Sequence, residues 1–386
     1  MDSIMGLQNR VEQLREDDKP SYNILKRIYR IDSKEGFQKI PDSFKKKTLT
    51  YFGQKDSRGK IIEDENEVVQ RIENQEIISI FNQWTCEGSL FNSLRAMRPG
   101  ISASDMAEEK KHILKLINAS RDNCDFCHGE KYTPEDVFGR VRGTYSHTAA
   151  NIAKYDSWSS LVIFHNHNPL EFTLEEFSDY LATGFTWFRS VYNHDPHYRF
   201  PFFIWNCLHR AGASQVHGHC QILVSEEPYA RLENILKACE LYETETGEDL
   251  IQDIYRVHDS LGLSVKHEDV KLFTSLTPLK EKEVVIISSK NPSESENTKK
   301  IMFKTLRCFI DVMGVYSFNV SISCPPLDNE DKHPYIIKIV DRGSMLKPTS
   351  DIGGMELYGS SVVADDPYKV IEVLKNALNE KLDFEN

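Results

Sequence analysis

The sequence predicts an α+β fold made of two packed halves behind a helical N-terminal extension. Short apolar runs alternate with amphipathic helical segments from about Tyr145 onward. In the first half, buried strands are expected at 161–164 and 202–205, with an amphipathic helix at 174–192 between them. The second half roughly repeats this order of strand pair, helix and strand pair, which indicates two units of similar architecture.

One amphipathic helix and four strands are expected in the second half. The helix should end at Gly314, because glycine readily adopts the left-handed conformation that follows a helix C-terminus. Its apolar face would consist of Met302, Leu306, Phe309, Ile310 and Met313. The strands are expected near 270–276, 283–288, 317–323 and 335–340.

The predicted boundaries are a helical extension at 1–82, a first half at 83–228 that carries the chemistry, and a second half at 229–386. In the extension, Ile24, Ile28 and Ile31 recur at helical spacing, and no group of side chains indicates catalysis.

Charge and composition exclude several classes of protein. The formal net charge is −12, from 47 Lys and Arg against 59 Asp and Glu, which argues against general nucleic-acid binding. No run approaches the roughly 20 apolar residues of a membrane span, and the acidic N-terminal residues lack a signal-peptide pattern. The eight cysteines show no regular disulfide framework. We therefore expect a soluble cytoplasmic protein.

The segment 211–224, AGASQVHGHCQILV, concentrates polar chemistry within an apolar stretch. If 216–224 is one strand, its two-residue period places His217, His219 and Gln221 on the same face. Two imidazoles there suit metal binding or nucleophilic attack, and an amide can donate to a phosphate oxygen. A pair of partly buried histidines without catalytic function is the alternative.

This motif resembles the active-site signature of galactose-1-phosphate uridylyltransferases, in the histidine-triad superfamily. The matching residues are Gly212, Ala213, Ser214, His217, His219 and Gln221. The resemblance implies that His219 attacks the α-phosphate of a nucleotide sugar, with Gln221 and Ser214 as further catalytic residues. It also implies histidine-triad-like halves, each an antiparallel sheet with helices. Hydrolases of the superfamily carry a third histidine where Gln221 stands, so the glutamine favours transfer to an acceptor over hydrolysis.

A C-x-x-C pair, Cys124 and Cys127, forms the second motif, and such a pair suits zinc or redox chemistry. No thioredoxin-like pattern surrounds it, which disfavours the redox role. The family resemblance implies a Zn²⁺ site made of Cys124, Cys127, His167 and His217. His165 and His128 compete for the third position. A site with four protein ligands would be structural.

Further segments extend the resemblance toward both ends of the chain, and they imply substrate contacts. The R-A-x-R-P loop supplies two arginines for phosphates, which guanidinium groups bind well. Surface arginines and turn asparagines are the alternatives. The implied substrate-binding residues are Arg95, Arg98, Asn151, Asn206, Gly212 and Glu356.

Lys338 stands where the family places an H-x-H that helps bind another metal, so we expect no second metal. A cation at this position would favour a phosphate or a carboxylate ligand. Galactose itself is therefore in doubt.

Three functions remain open. The first is transfer of a nucleoside monophosphate from a nucleotide sugar to a hexose 1-phosphate, through a nucleotidyl-histidine intermediate. The second is a phosphorylase that uses inorganic phosphate on a nucleotide sugar or a dinucleoside polyphosphate. The third is a catalytically silent nucleotide-binding module. The expected partners are these small molecules, without nucleic acid or membrane; related enzymes commonly form homodimers.

Overall fold

A computed structural model describes residues 3–54, 56, 59–96, 103–347, 350 and 352–379. Most strands in this part of the chain join one nine-stranded antiparallel sheet, in the order β4-β5-β7-β6-β11-β12-β10-β9-β8. Its strands are β4 (Ser146–Ala150), β5 (Trp158–Phe164), β6 (Phe200–Asn206), β7 (His219–Ser225), β8 (Ser264–His267), β9 (Val270–Thr274), β10 (Val284–Ser288), β11 (Phe318–Ser323) and β12 (Tyr335–Asp341).

A smaller sheet of four strands lies beside the second half, in the order β1-β2-β3-β13. It consists of β1 (Tyr29–Phe37), β2 (Asn74–Asn82), β3 (Gly88–Phe91) and β13 (Ser360–Val363). The last strand pairs in parallel with β3, so the C-terminal part of the chain completes a sheet begun near the N-terminus.

Thirteen helices are present in the described residues, apart from short 3₁₀ and π turns. They are α1 (Leu7–Asp17), α2 (Lys19–Ile28), α3 (Asp42–Phe52), α4 (Glu65–Glu73), α5 (Ser93–Ala96), α6 (Ala103–Ala119), α7 (Gly129–Tyr132), α8 (Leu174–His194), α9 (Ala230–Thr246), α10 (Leu250–Ser260), α11 (Glu296–Arg307), α12 (Gly354–Leu357) and α13 (Pro367–Asn379). Thr173 and Glu176 form a capping box that starts α8, as expected for a Thr-x-x-Glu sequence.

The two halves repeat one another in chain order, which confirms the predicted α+β fold class. The first half runs β4, β5, α8, β6, β7, and the second runs β9, β10, α11, β11, β12. The halves join where β6 pairs with β11, so that Asn206 lies opposite Asn319 and the sheet continues across the junction. The second-half helix continues as a π turn, and Gly314 follows with a positive φ of 66°.

The extension contains strands as well as the expected helices. Helix α2 ends at Ile28, so Ile31 lies in β1 and the helical spacing of the three isoleucines is only partly realised. Strand β1 pairs along its whole length with β2, and this long-range pairing overrides the local period. Strands β2 and β3 pair across the predicted boundary at residue 82, which stays a prediction.

Strand β7 begins at His219 and not at Val216, so the expectation that His217 shares its face is wrong. Gly218 lies between the two histidines. Its carbonyl accepts from the Phe164 amide (3.0 Å), and its amide donates to the His167 carbonyl (3.2 Å). Because of these two hydrogen bonds, His217 lies outside β7, and its side chain need not share a face with His219.

One large apolar core underlies both halves and reaches into the extension. Leu7 and Leu25 of the extension are fully buried in it, together with Trp187 of α8. Within the described part of the chain, we find no helix long and apolar enough to cross a membrane.

Candidate functional site

Four side chains from three separate segments converge beside the start of β7. Cys124 is the N-cap of a short 3₁₀ turn and Cys127 lies within that turn, whereas His167 and His217 come from the loops after β5 and before β7. Their potential ligand atoms all lie within 4.8 Å of one another. The Nδ1 atoms of the two histidines are 3.1 Å apart, and each lies 3.3 Å from a thiol sulfur.

Backbone carbonyls fix both imidazoles with Nδ1 toward the cluster. The His217 Nε2 donates to the Phe164 carbonyl at 2.8 Å, and the His167 Nε2 lies 3.0 Å from the Ile117 carbonyl. A carbonyl only accepts, so the proton occupies Nε2 and Nδ1 keeps a lone pair. Metal-binding histidines are typically oriented in this way by outer hydrogen bonds. Ser120 lies 3.1 Å from the same His167 nitrogen and adds a polar neighbour.

The donor set fits a tetrahedral zinc site of two sulfurs and two nitrogens. Burial, with the Cys124 thiol beside it, raises the pKa of Cys127 to about 11, and burial lowers the pKa of His217 to about 4. A divalent cation would compensate thiolate charge that is otherwise costly in this environment. Of the competing histidines, His165 and His128 are exposed and lie outside the cluster. The structure thus places His167, and neither competitor, in the cluster.

His219 is 5% exposed and is held by the main chain of the neighbouring cluster residue. Its Nδ1 donates to the His217 carbonyl at 2.8 Å, which leaves the Nε2 lone pair unprotonated in the neutral imidazole. Burial lowers the pKa of His219 and so favours this neutral form. His217 therefore faces the cluster through its ring and supports His219 through its carbonyl.

Gln221 follows on the same face of β7 and is 8% exposed. Its Nε2 donates to the hydroxyl of Tyr155 at 3.2 Å, and its Oε1 accepts from the Asn206 amide at 3.5 Å. Asn206 is thus brought next to the predicted catalytic pair. Tyr155 lies in the loop between β4 and β5 and is 63% exposed.

A cavity of about 410 Å³ opens beside the C-x-x-C turn. Phe126 lines it and also packs edge-on against His219, with ring centroids 5.3 Å apart. His147 borders the same space, and its buried Nε2 has no hydrogen-bond partner among the described residues. Burial lowers the pKa of His147 to about 4. A Cβ at Gly129 would lie 2.4 Å from this nitrogen, so the glycine leaves room for the imidazole.

Three further predicted residues lie on loops of the first half. Ser214 is exposed in the segment that leads to His217. Gly212 is exposed with φ of 94°, a left-handed conformation that favours glycine and ends a short 3₁₀ turn. Asn151 follows β4, and its backbone N–H donates to the Ser159 carbonyl at 3.1 Å, in the loop that also carries Tyr155.

The predicted arginines and glutamate belong to segments next to the four-stranded sheet. Arg95 is half-buried in α5, directly after β3. Arg98 lies outside the described residues. Glu356 accepts from the Gly353 amide at 2.8 Å and pairs with Lys280 at 3.9 Å. These residues adjoin the four-stranded sheet, whereas β7 belongs to the nine-stranded sheet. Their predicted substrate contacts stay predictions.

Lys338 already has two carboxylate partners within the chain. Its Nζ lies 3.3 Å from Glu283 and 3.5 Å from Glu87 of the β2–β3 turn. Since these carboxylates balance the ammonium charge, a phosphate or carboxylate ligand would have to displace them. The lysine instead links the β2–β3 turn to the second half.

The sequence did not point to three residues near the site. They are Tyr155, Phe126, whose ring packs edge-on against His217 and His219, and Asn319. Phe126 lies between the two cysteines and Tyr155 lies a few residues after Asn151, and this proximity in sequence was the available signal. Asn319 comes from the second half and enters the site only because β11 pairs with β6.

No protein-family model matches the sequence, and no curated protein matches it. Several solved structures, however, are similar to this chain. An ADP-glucose phosphorylase from Arabidopsis thaliana, with bound ADP-glucose, aligns over 78% of this chain and 98% of its own, at 16% identity and a TM-score of 0.59. A GalT-like protein from Arabidopsis thaliana aligns over 66% and 92%, at 18% identity and a TM-score of 0.54. A uridylyltransferase aligns over 62% and 87%, at 16% identity and a TM-score of 0.52.

These similarities define the class of fold, which this chain shares with the uridylyltransferase and GalT-like structures. At this level of identity they establish the architecture. More particularly, the chain has the galactose-1-phosphate uridylyltransferase-like fold that its H-x-H-x-Q motif predicted.

Proposed function

We propose that the protein is a nucleotidyltransferase that moves a nucleoside monophosphate from a nucleotide sugar to a hexose 1-phosphate through a covalent intermediate on His219. The observation that carries this proposal is the 2.8 Å hydrogen bond from the His219 Nδ1 to the His217 carbonyl. It presents a neutral imidazole whose Nε2 lone pair is free of a proton, the form needed for nucleophilic attack.

In the first step, the Nε2 lone pair of His219 forms a bond to the α-phosphorus, and the bond from phosphorus to the bridging oxygen breaks. The departing sugar phosphate carries the bonding electrons as a stable phosphate anion, so this step needs no strong acid. In the second step, a phosphate oxygen of the acceptor attacks the same phosphorus. The N–P bond breaks and returns its electron pair to the imidazole.

Gln221 supplies an N–H donor on the same face of β7 as His219. An amide donor directed at a phosphoryl oxygen stabilises the charge that develops there in the transition state. Its Nε2 now donates to Tyr155, and we expect a bound phosphoryl group to take or share that hydrogen bond. Ser214 and Gly212 are assigned to the approach of the phosphates by their position before His217.

Zinc is the metal that we assign to Cys124, Cys127, His167 and His217. With four protein ligands and no open position, it would hold the segment before β7 in place. Its effect on catalysis would pass through His217, whose ring joins the cluster and whose carbonyl orients His219. The 410 Å³ cavity beside Phe126 is our candidate for the nucleoside.

A phosphorylase that uses inorganic phosphate as acceptor is the second candidate, and the environment of Glu356 favours it. Both carboxylate oxygens of this predicted hexose contact already face partners in the chain, Gly353 and Lys280. Hexose hydroxyls would have to share these partners, whereas inorganic phosphate requires no such contact. The bound ADP-glucose of the Arabidopsis phosphorylase makes ADP-glucose a donor worth testing.

Intact-protein mass spectrometry after brief incubation with UDP-, ADP- or GDP-hexoses tests the covalent step. Wild-type protein should gain the mass of one nucleoside monophosphate, and His219→Ala should gain none. His267→Ala removes an exposed histidine on β8 and serves as the matched control, which should gain the mass. Adding inorganic phosphate or a hexose 1-phosphate then identifies the acceptor by loss of the adduct. An adduct on His219→Ala would contradict the assignment.

A further inference from the structure

A row of amide side chains crosses the junction between the two halves. It begins at Gln221 on β7, continues to Asn206 at the end of β6, and passes to Asn319 on β11. The register places these residues on one face of the sheet, because Gln221 pairs with Ile204 and Asn206 pairs with Asn319. The row ends at Arg342, directly after β12.

Each contact in the row is a hydrogen bond between side chains. The Asn206 Nδ2 lies 3.5 Å from the Gln221 Oε1, and the Asn319 Nδ2 donates to the Asn206 Oδ1 at 2.6 Å. The Asn319 Oδ1 accepts from an Nη of Arg342. The Asn319 Nδ2 also donates to the Ala211 carbonyl at 2.9 Å.

The two ends of the row determine the orientation of every amide within it. A guanidinium group only donates, so the Asn319 oxygen must face Arg342. A carbonyl only accepts, so the Asn319 nitrogen must face Ala211, which gives the same orientation independently. That nitrogen then meets the Asn206 oxygen, and the Asn206 nitrogen meets the Gln221 oxygen.

We propose that Arg342 and Asn319 act as positioning residues that fix, through Asn206, the amide orientation of Gln221 so that its N–H groups face the phosphoryl group. This inference rests on the proposed function, in which Gln221 donates to a phosphoryl oxygen. A glutamine amide can rotate by half a turn with little change in shape, and the reversed orientation would present an oxygen to the phosphate. The second half thereby controls a catalytic group of the first.

The far side of Gln221 does not determine its orientation. Its Nε2 donates to the Tyr155 hydroxyl, but a hydroxyl can donate or accept and would adapt to either end of the amide. Since Tyr155 is exposed and adaptable, the selection must come from the partly buried side of the row, which Asn206, Asn319 and Arg342 form.

Asn319→Asp tests the proposal with almost no change in volume. The carboxylate still accepts from Arg342 but offers a second acceptor to Asn206, which must then present its nitrogen there and its oxygen to Gln221. Gln221 would turn its nitrogen inward and lose its donor to the phosphate. Removal of one donor of this kind slows catalysis by about 100-fold or more. We expect adduct formation in Asn319→Asp to slow by about that factor.

Ser321→Asp is the matched control for charge. Ser321 lies two residues further along β11 on the same face, outside the row, so it receives the same carboxylate without the change of orientation. Its adduct should form at a rate within about twofold of the wild-type rate. Arg342→Lys keeps a donor and should retain more activity than Arg342→Met, which removes it.

A double-mutant cycle separates positioning from a general loss of structure. If Asn319 acts through Gln221, Asn319→Asp should not slow Gln221→Ala any further. A rate for Asn319→Asp equal to wild type, or an undiminished effect in the Gln221→Ala background, would overturn the proposal.

A second readout requires no turnover. In protein labelled with ¹⁵N at glutamine side chains, the Gln221 amide signal is identified by its loss in Gln221→Ala. It should shift in Asn319→Asp and stay in place in Ser321→Asp; an unmoved signal in Asn319→Asp overturns the proposal. If wild-type protein forms no adduct with any donor, the proposed function fails, and this measurement still decides the orientation of the amide.

Discussion

Gly218→Ala is the substitution whose effect can be worked out most directly from the structure. A Cβ at this position would lie 2.4 Å from Cδ2 of Phe164, and 3.1 and 3.2 Å from two further atoms of the same ring. Carbon atoms in proteins pack best at about 3.5–4.0 Å, so the ring or the strand must move by about 1 Å.

Neither the Phe164 ring nor the Gly218 backbone can move easily. The Phe164 ring is 1% exposed, stacks on Tyr180 with centroids 3.7 Å apart, and meets Trp205 edge-on at 5.2 Å. The backbone of Gly218 is hydrogen-bonded through both its carbonyl and its amide. Overpacking of a core costs about 1–3 kcal/mol, and we expect about 3 kcal/mol because both partners are held.

Thermal unfolding measures this loss. With an unfolding entropy of about 2.1 cal/mol/K per residue over 386 residues, a loss of about 3 kcal/mol lowers the unfolding temperature by about 4 °C. Adduct formation should also fall, since Gly218 adjoins both His217 and His219. Gly354→Ala is the control, because nothing lies within 4 Å of its Cβ, and it should unfold at or slightly above the wild-type temperature.

The result that refutes this reasoning is a Gly218→Ala protein that unfolds within about 1 °C of wild type. Phe164→Leu added to Gly218→Ala gives a further check, because a smaller side chain relieves the contact. The double variant should then be more stable than the sum of the two single changes predicts.

Three further predictions concern the metal site and two ion pairs. Metal analysis should find about one zinc per chain in wild type, and Cys124→Ser should lower both the zinc content and the unfolding temperature; a full zinc content in Cys124→Ser would contradict the assignment. Lys338→Met should destabilise the fold by about 3–5 kcal/mol in denaturant unfolding, because it leaves the Glu283 carboxylate, 1% exposed, without its cation. Adding Glu283→Gln should restore part of that loss, and no restoration would contradict the pairing. The hydrogen bond from Arg71 lowers the pKa of Glu63 from 4.5 to about 2, so this carboxylate stabilises the fold above pH 4.5 and loses its contribution as the pH falls toward 2. The free energies of unfolding of wild type and Glu63→Gln, measured against pH, should therefore converge in acid. A difference between them that does not change with pH would contradict this contribution from Glu63.

The sequence by itself predicted the architecture of the two halves and three members of the candidate metal cluster, Cys124, Cys127 and His217. Short apolar runs and a capped amphipathic helix act locally, so the order of strands and helices could be predicted from neighbouring residues. The Cys124 and Cys127 pair and the H-x-H motif could be recognised because their spacing is itself the chemical signal.

Tertiary structure decided the features that depend on contacts between distant segments. His167 could be separated from His165 only when the loop after β5 was placed, because both histidines follow the same strand and differ only in direction. The start of β7 at His219 likewise depends on hydrogen bonds between Gly218 and residues about fifty positions earlier.

The pairing of β6 with β11 has the same origin and the largest consequence for function. It brings Asn319 beside Asn206 and so connects Gln221 to Arg342, although no local pattern relates these residues. Strand pairing between the halves is set by the burial of both halves of the sheet against one core, a property of the whole chain. Residue types and spacing therefore identified the candidate nucleophile, and only the assembled sheet shows what orients the groups around it.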